Sequence, residues 1–148
     1  MSGICQMETE KKYWSNGNLR IEGNLIDGKE AGIWTYYYQS GQVEQVINYK
    51  DGEPLSLKTY CEDGQLLEEG QFNEVTGKKD GRWTHYYDCG LLKMEENFND
   101  GRKEGFTRIY HLSGKLYYEG YYNDGRFGYG KCFDENGDNI KCDERVYN

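Results

Sequence analysis

The chain has 148 residues, a net charge of −8 and a low mean hydropathy of −1.02. An acidic surface repels phosphate backbones and anionic membranes, so this charge argues against nucleic-acid binding and favours a basic partner. The 15 Tyr, 5 Phe and 3 Trp residues argue against a disordered chain, because each buried ring can remove about 150–250 Å² from water. The length predicts one domain, with a core built largely of rings.

An internal repeat of about 24 residues is the clearest feature of the sequence. Each copy is marked by an aromatic residue followed four positions later by a glycine, and the glycines lie 24, 23, 26, 24 and 23 positions apart. The six pairs are Tyr13 and Gly17, Tyr37 and Gly41, Tyr60 and Gly64, Tyr86 and Gly90, Tyr110 and Gly114, and Phe133 and Gly137. A period of this length is typical of repeat architectures.

Two strands and two turns are predicted in each copy. The first strand runs like residues 32–38, rich in aromatic and β-branched side chains, and the second runs like residues 66–72. Asp-Gly pairs such as Asp27 and Gly28 follow the second strand in four copies, and Asp-Gly is a strong hairpin signal. We therefore expect an all-β fold, an elongated antiparallel meander of repeated β-hairpins with about ten to twelve strands. Residues 1–148 would form a single repeat domain, with five repeats and a partial sixth at 133–148.

The second strands alternate between an apolar face and a polar face. The apolar face of the first copy carries Leu19, Ile21, Gly23 and Leu25. Glycine recurs at the third of these positions as Gly70 and Gly120, and we expect a ring from the neighbouring strand to cover each glycine. The sequence leaves open whether Trp34, Tyr36 and Tyr38 of a first strand belong to the core or to a binding surface.

The five cysteines are scattered through the chain without a CxxC pair. We interpret them as reduced thiols of a cytoplasmic protein, because no hydrophobic signal segment precedes them. No apolar run approaches the length of a membrane-spanning helix, so no transmembrane segment is expected.

The spacing of Trp34, Tyr37, Gly41 and Val43, followed by Tyr49 and Asp51-Gly52, resembles the MORN-repeat variant of bacterial proteins. The resemblance runs from about residue 8 to residue 139. It implies the open-sheet fold, and it implies no catalytic motif. Many bacterial proteins of this kind are labelled antitoxins or immunity proteins, whereas other MORN proteins are scaffolds or bind phospholipid or partner helices.

No residue pattern predicts catalysis, a cofactor or a metal site, so we expect no enzyme activity. The two histidines, His85 and His111, replace ring residues of the repeat and have no partners at ligand spacing. Four glutamates recur on the polar face and are expected to form a solvated ladder with neighbours such as Arg20 and Lys93. These glutamates are Glu22, Glu69, Glu95 and Glu119.

The polar face changes character in the fifth copy, where Tyr117 and Tyr121 flank Glu119. One interpretation is that the last residues of the chain, including Tyr147, fold back and cap these rings. The other is a contact site for a basic protein partner, with the two tyrosines as anchors. Further rings of the first strands extend the predicted partner-binding set, namely Tyr36, Tyr38, His85 and Tyr87.

Two functions follow from this sequence. The chain is either a neutraliser of a basic toxin, similar to an antitoxin or immunity protein, or a structural scaffold for protein assembly or membrane-proximal complexes.

Overall fold

The structure is a computed structural model that describes residues 6–143, and these residues form one antiparallel sheet of thirteen strands without a helix. Two of the strands, β9 and β13, are only two residues long. In chain order the strands are β1 (Met7–Tyr13), β2 (Leu19–Ile26), β3 (Lys29–Tyr37), β4 (Val43–Lys50), β5 (Glu53–Tyr60), β6 (Leu66–Phe72), β7 (Lys79–Tyr86), β8 (Leu92–Asn99), β9 (Arg102–Lys103), β10 (Gly105–Tyr110), β11 (Leu116–Asn123), β12 (Arg126–Phe133) and β13 (Asn139–Ile140). The predicted all-β meander is confirmed.

Each strand pairs with the strands before and after it in the chain, so the sheet is open and its strand order follows the sequence. The one departure is a first strand broken at Glu104, where β9 and β10 both pair with β8. The even-numbered strands up to β8, together with β11 and β13, are the second strands of the repeat. The others are first strands.

The Asp-Gly turns adopt the geometry that the sequence indicates. Asp27 and Gly28 have φ values of 51° and 79°. Positive φ at two successive turn residues belongs to the tight hairpin turn whose twist matches that of the strands. The equivalent aspartates at 51, 100 and 124 also have positive φ, so four of the sheet's hairpins close in the same way.

The register gives the sheet two chemically different faces. Cα partners across an antiparallel pair direct their side chains to the same side. The ring face carries Trp34, Trp83 and Tyr118, which are 4%, 0% and 0% exposed. The ladder face carries the repeated glutamates. Tyr36 lies two residues after Trp34 on β3, so its side chain also points to the ring face. The Cα partners of Trp34 and Tyr36 on β4 are Ile47 and Gln45, whose side chains point to the same side.

Rings cover glycines on the ring face, as predicted. A side chain at Gly23 would overlap the Trp34 ring of β3, and one at Gly70 would overlap the Trp83 ring of β7. The expectation of a neighbouring strand is wrong at Gly120, where the covering ring is Tyr118 of the same strand. The reason is that the residue of β12 opposite Gly120 is Gly130, which stands where β3 has Trp34 and has no ring to offer.

The expectation that all cysteines are reduced is wrong for two of them. Cys132 and Cys142 form a disulfide, with Cα atoms 5.2 Å apart, while Cys61 and Cys89 are free. The fold brings the pair together because β13 turns back onto β12, which places Ile140 opposite Cys132. The cysteine argument for a cytoplasmic location therefore loses its basis. Cys5 lies outside the described residues.

The first edge of the sheet is the strand β1, which contains the charged segment 8–12. Charged side chains discourage pairing of an edge strand with another sheet, so the composition of β1 protects this edge. At the other end, the described part of the polar segment from residue 138 includes β13. Tyr147, one of the residues considered above as a cap for Tyr117 and Tyr121, lies outside the described residues.

Candidate protein-binding surface

A continuous row of side chains crosses the ladder face from one edge of the sheet to the other, and we call this row the ladder. Its members are Cα partners on successive strands, so their side chains stand side by side. In order across the sheet they are Lys11, Glu22, Thr35, Val46, Lys58, Glu69, Thr84, Glu95, Arg108, Glu119 and Lys131.

Glu22, Glu69 and Glu95 are each held by a tyrosine and a basic residue, and Glu119 is held by Arg108. The Tyr37 hydroxyl donates a hydrogen bond of 2.6 Å to Glu22, and Lys11 Nζ lies 3.4 Å from the same carboxylate. The hydrogen bond from Tyr37 holds the pKa of Glu22 below its usual range; burial opposes this shift, and smaller effects of Lys11 add to it. A carboxylate whose pKa is lowered in this way stays ionised at neutral pH, so it serves as a structural ion and not as a proton donor.

The same arrangement recurs along the ladder. Glu69 lies 3.2 Å from Lys58 Nζ and accepts a hydrogen bond of 3.2 Å from Tyr86. Glu95 accepts a hydrogen bond of 2.7 Å from Tyr110 and pairs with Arg82.

The glutamates were expected to pair with Arg20 and Lys93, and this detail is wrong. The Arg20 guanidinium lies 4.7 Å from the Trp14 ring centroid, and Lys93 Nζ lies 5.6 Å from that of Tyr87. The basic partners come from adjacent strands because Cα partners are closer than residues on the same strand.

A second row on the ladder face changes from polar to aromatic towards β12. In the first four units it consists mainly of hydroxyl and amide side chains, interrupted by Ile33 and Arg82. The polar members are Thr9, Asn24, Asn48, Ser56, Gln71 and Asn97. In the last full unit the row consists of Phe106, Tyr121 and Tyr129. This change is confined to one end of the sheet.

These rings form a connected cluster. The Phe106 and Tyr121 rings are 5.3 Å apart and meet edge to face, and the Tyr121 and Tyr129 rings stack at 5.7 Å with planes 12° apart. Tyr117 lies four residues before Tyr121 and packs against His111 at 5.0 Å. We call Phe106, Tyr117, Tyr121 and Tyr129 the aromatic patch.

A charge pair lies within the aromatic patch. Arg108 Nε donates to Glu119 at 2.7 Å, and the Arg108 guanidinium lies 5.0 Å from the centroid of the Phe106 ring. The structure thus places the predicted Tyr117, Glu119 and Tyr121 on one surface. Sequence reasoning missed Phe106 and Tyr129, which a comparison of first strands would have found, since the equivalent residues are Thr9, Ile33, Ser56 and Arg82 and none of them is aromatic.

The other predicted binding residues lie elsewhere. Tyr36 is on the ring face, where its hydroxyl is 3.4 Å from that of Tyr49. Tyr38 and Tyr87 each donate a hydrogen bond to a main-chain carbonyl of the next unit, at Tyr60 O (2.7 Å) and Tyr110 O (2.8 Å). These two hydroxyls therefore join consecutive units of the sheet, and each donates its proton to a hydrogen bond within the chain.

His85 belongs to a partly buried network of charged and polar side chains on the ring face, centred on the buried Glu96. Its Nε2 lies 3.4 Å from Glu96, and its Nδ1 lies 3.7 Å from Glu68. Lys103 Nζ is 2.8 Å from Glu96, and Lys79 Nζ is 3.1 Å from Glu68. Burial raises the pKa of Glu96, but the hydrogen bonds and charges of His85 and Lys103 outweigh burial and lower the pKa to about 2.

The sequence did carry a signal for this network. Glu96 occupies the position of Gly23, Gly70 and Gly120, where the one other complete copy has Ile47. A carboxylate that is only 6% exposed needs compensating partners. Because those partners come from different strands, the sequence did not reveal them.

Shallow grooves open on the ladder face at equivalent positions of the repeat. Three of them have volumes of about 650, 190 and 170 Å³. The largest is lined by polar side chains that include Lys58, Glu69, Gln71 and Arg82. At the equivalent place beside β12 stand the rings of Phe106, Tyr121 and Tyr129, so the ladder face is most apolar there.

In the part of the chain that the structure describes, no group of three or more His, Cys, Asp or Glu side chains is placed to hold a metal ion. Within the same residues no helix could cross a membrane.

The chain matches the family described as MORN repeat variant at three places, residues 9–27, 31–51 and 103–124. Each matched segment falls on a first strand and the second strand that follows it. Such repeats suggest a protein-binding or scaffold module and are in general non-catalytic. A search of curated proteins gave no match.

Proposed function

We propose that the chain is a non-catalytic binding protein that neutralises a basic toxin, in the manner of a bacterial antitoxin or immunity protein. The observation that carries the proposal is the aromatic patch, which is confined to one end of an otherwise polar face. Tyr129 is 54% exposed there, beside the Arg108–Glu119 pair.

The patch has the composition of an interface centre. Tyrosine offers a large contact area at low entropic cost, and its hydroxyl remains available to polar groups. The net charge of −8 attracts a basic partner and accelerates their association.

A scaffold is the second candidate, and the repeated grooves favour it. An assembly platform would present similar sites along the sheet, as the grooves beside Glu22, Glu69 and Glu95 do. Within residues 6–143 the aromatic patch occurs once, which favours one dedicated partner over many equivalent ones.

The test compares three proteins, which are the wild type, the patch variant Tyr117→Ala with Tyr121→Ala, and a matched control. The control is Lys93→Ala with Asn97→Ala, the same two positions in the preceding unit. Each protein is used to capture partners from a lysate of the source organism. The partner identified is then purified, and its affinity for all three proteins is measured by calorimetry.

We expect a basic partner whose affinity for the patch variant falls by about 2 kcal/mol or more, roughly 30-fold, while the control stays within twofold. Both variants should melt within a few degrees of the wild type. Expression of the partner should stop cell growth, and wild-type protein should restore growth where the patch variant does not. A folded patch variant that binds normally would contradict the role of the patch, and a partner without effect on growth would contradict neutralisation.

A further inference from the structure

Two exposed leucines lie in the turns that connect first strands to second strands. We call these six turns the glycine turns, and they comprise residues 14–18, 38–42, 61–65, 87–91, 111–115 and 134–138. Because each strand runs antiparallel to the next, the glycine turns lie along one side of the sheet and the Asp-Gly turns along the opposite side. Leu91 and Leu112 belong to the fourth and fifth glycine turns and are 46% and 61% exposed.

The repeat brings the two leucines to neighbouring places. In the first glycine turn, the Asn18 side chain donates a hydrogen bond of 2.9 Å to the main-chain oxygen of Gln39 in the second turn. The fifth and sixth turns make the same contact at 2.7 Å, through a lysine. Leu91 has the repeat position of Asn18, and Leu112 has that of Gln39. The side chain of Leu91 therefore lies beside the turn that carries Leu112.

The same two positions are polar in every other pair of consecutive glycine turns. These pairs are Asn18 with Gln39, Gln42 with Glu62, Gln65 with Asp88, and Lys115 with Glu135. The fold therefore does not require leucine at either position. Adjacent exposed apolar side chains indicate an interaction surface more strongly than scattered single ones do.

The glycine turns carry a net negative charge. They contain six carboxylates and one lysine. The carboxylates are Glu62, Asp63, Asp88, Asp134, Glu135 and Asp138. Among residues 6–143, no lysine or arginine is paired with Glu62, Asp63 or Asp88, the three that precede the leucines in the third and fourth turns.

The opposite side of the sheet neutralises its carboxylates within the chain. Ion pairs join consecutive turns there, namely Lys50 with Glu74 at 3.0 Å, Lys78 with Asp100 at 3.5 Å, and Arg102 with Asp124 at 2.6 Å. The two sides therefore differ in the charge that they offer to a partner. The glycine turns attract a basic one.

The aromatic patch does not supply this charge itself. Its carboxylate, Glu119, lies 2.7 Å from Arg108, and its Cα partner on β12 is Lys131. A basic partner therefore meets more positive than negative charge at the patch. The patch adjoins the glycine turns through Tyr117, whose ring packs against that of His111 at 5.0 Å.

We propose that the glycine turns around Leu91 and Leu112 bind a basic, extended segment of a partner protein. An apolar side chain of the segment covers the two leucines, and lysines or arginines lie beside Asp88 and Glu62. Glu62, Asp88 and Leu112 have the same position in successive turns, two strands or about 9.5 Å apart. A chain in the polyproline II conformation presents every third side chain on one face, about 9.3 Å apart. This inference goes beyond the proposed toxin neutralisation and does not depend on it.

The probe is a heptapeptide, blocked at both ends, with leucine at its first position and lysine at its fourth and seventh. Proline and serine fill the other positions and favour the polyproline II conformation. One control peptide has serine in place of the leucine. The other has the same composition with its lysines at the third and fifth positions. Binding to the full chain is followed by NMR titration of the backbone amide shifts.

The leucine variant of the protein is Leu91→Gln with Leu112→Gln. Glutamine stands at the same positions in other turns, as Gln65 and Gln39, so the variant should fold normally. The matched control is Val75→Gln, which removes a side chain that is 92% exposed on the opposite side of the sheet.

The charge variant is Glu62→Gln with Asp88→Gln, and Gln39 again shows that the fold accepts glutamine there. The matched control removes two carboxylates from the opposite side, by Asp27→Asn with Asp51→Asn. Both aspartates have positive φ, and asparagine tolerates this conformation.

We expect the shifted amides to cluster within residues 61–65, 87–91 and 111–115. The leucine variant should bind the probe about five- to tenfold more weakly and no better than it binds the serine peptide. The charge variant should bind about three- to tenfold more weakly, while both control proteins stay within twofold. Tyr121→Ala should bind the probe as wild type does, which separates this test from that of the aromatic patch.

Three results would overturn the proposal. One is a set of shifted amides on the ladder face or the opposite side in place of the glycine turns. Another is an equal loss of affinity in the charge variant and its control, since only the net charge would then matter. The third is equal binding of wild type to the probe and to either control peptide, which would exclude the leucine contact or the spacing of the lysines.

Discussion

The first unit and the last full unit fill the same space on the ring face with different residues. In the first, Trp34 of β3 covers Gly23 of β2. In the last, Gly130 occupies the Trp34 position, and Tyr118 covers Gly120 from the same strand while lying 2.8 Å from where a side chain at Gly130 would begin. The sheet therefore needs a ring above the glycine, and the strand that supplies the ring can change.

A third arrangement lies between these two. Glu96 of β8 is the Cα partner of Trp83 and stands where β2, β6 and β11 have a glycine. The next first strand, β10, has Thr107 at the position of Trp34 and Trp83. Threonine is too small to cover a neighbour, and the space is taken by the Glu96 side chain with its His85 and Lys103 partners. Packing volume is thus conserved along the sheet, while the chemistry that fills it is not.

Removing a covering ring should have the largest effect. Trp83 is fully buried, and we expect Trp83→Ala to lower the free energy of unfolding by about 3–5 kcal/mol. If Tyr118 has the same role in the last unit, Tyr118→Ala should fall in the same range. Urea unfolding followed by circular dichroism measures both. A loss below about 1 kcal/mol for Tyr118→Ala alone would show that the two ends are not equivalent.

The contribution of Glu96 to the free energy of unfolding should depend on pH, unlike the contributions of the covering rings. The pKa of Glu96 is lowered from 4.5 to about 2 in the folded chain, so its contribution is complete above pH 4.5 and is lost as the pH falls towards 2.

Glu96→Gln tests this contribution. The variant should be less stable than wild type at pH 7, and the two should converge as the pH falls from 4.5 to about 2. Urea unfolding at several pH values measures the difference, with Glu62→Gln at an exposed turn as the control. A gap between Glu96→Gln and wild type that is the same at pH 7 and pH 2.5 would exclude an ionic role for Glu96.

Substitutions that add a side chain beneath a covering ring should lower stability by different amounts in the first unit and in the last full unit. Gly70→Val would overpack Trp83, at a cost of about 1–3 kcal/mol. Gly23→Ala would meet the Trp34 ring atoms, whereas Gly120→Ala would first meet the hydroxyl end of Tyr118. We therefore expect Gly120→Ala to lower the melting temperature less than Gly23→Ala. The reverse order would contradict the assigned positions of the rings.

The smallest effect concerns the hydrogen bonds that join consecutive units. Tyr87→Phe removes the bond to Tyr110 O and should cost about 1 kcal/mol, with Tyr38→Phe similar. In the last unit His111 makes the equivalent contact with Phe133 O at 2.9 Å. Tyr13→Phe, at an exposed edge position, is the control. Melting curves that do not distinguish Tyr87→Phe from this control would show that the bond contributes little.

The sequence by itself determined the strands, the turns and the ring contacts of Gly23 and Gly70. The spacing of the Gly17 and Gly41 pattern defines the hairpins, and Asp-Gly defines their turns, because positive φ is a local property of those residues. Gly23 and Gly70 on an apolar strand face required covering rings. These inferences rest on short-range geometry, and the structure confirms them.

The tertiary structure decided everything that depends on register. A bulge between Tyr36 and Tyr37 interrupts the pairing of β3 with β4. Tyr36 lies on the ring face, whereas the hydroxyl of its neighbour Tyr37 donates a hydrogen bond to Glu22 on the ladder face. A shift of one residue moves a side chain to the opposite face, so the pattern within a strand does not identify partners on the next. For the same reason the sequence could not show that Glu22 meets Lys11, that Glu96 meets His85, or that Tyr129 stacks on Tyr121.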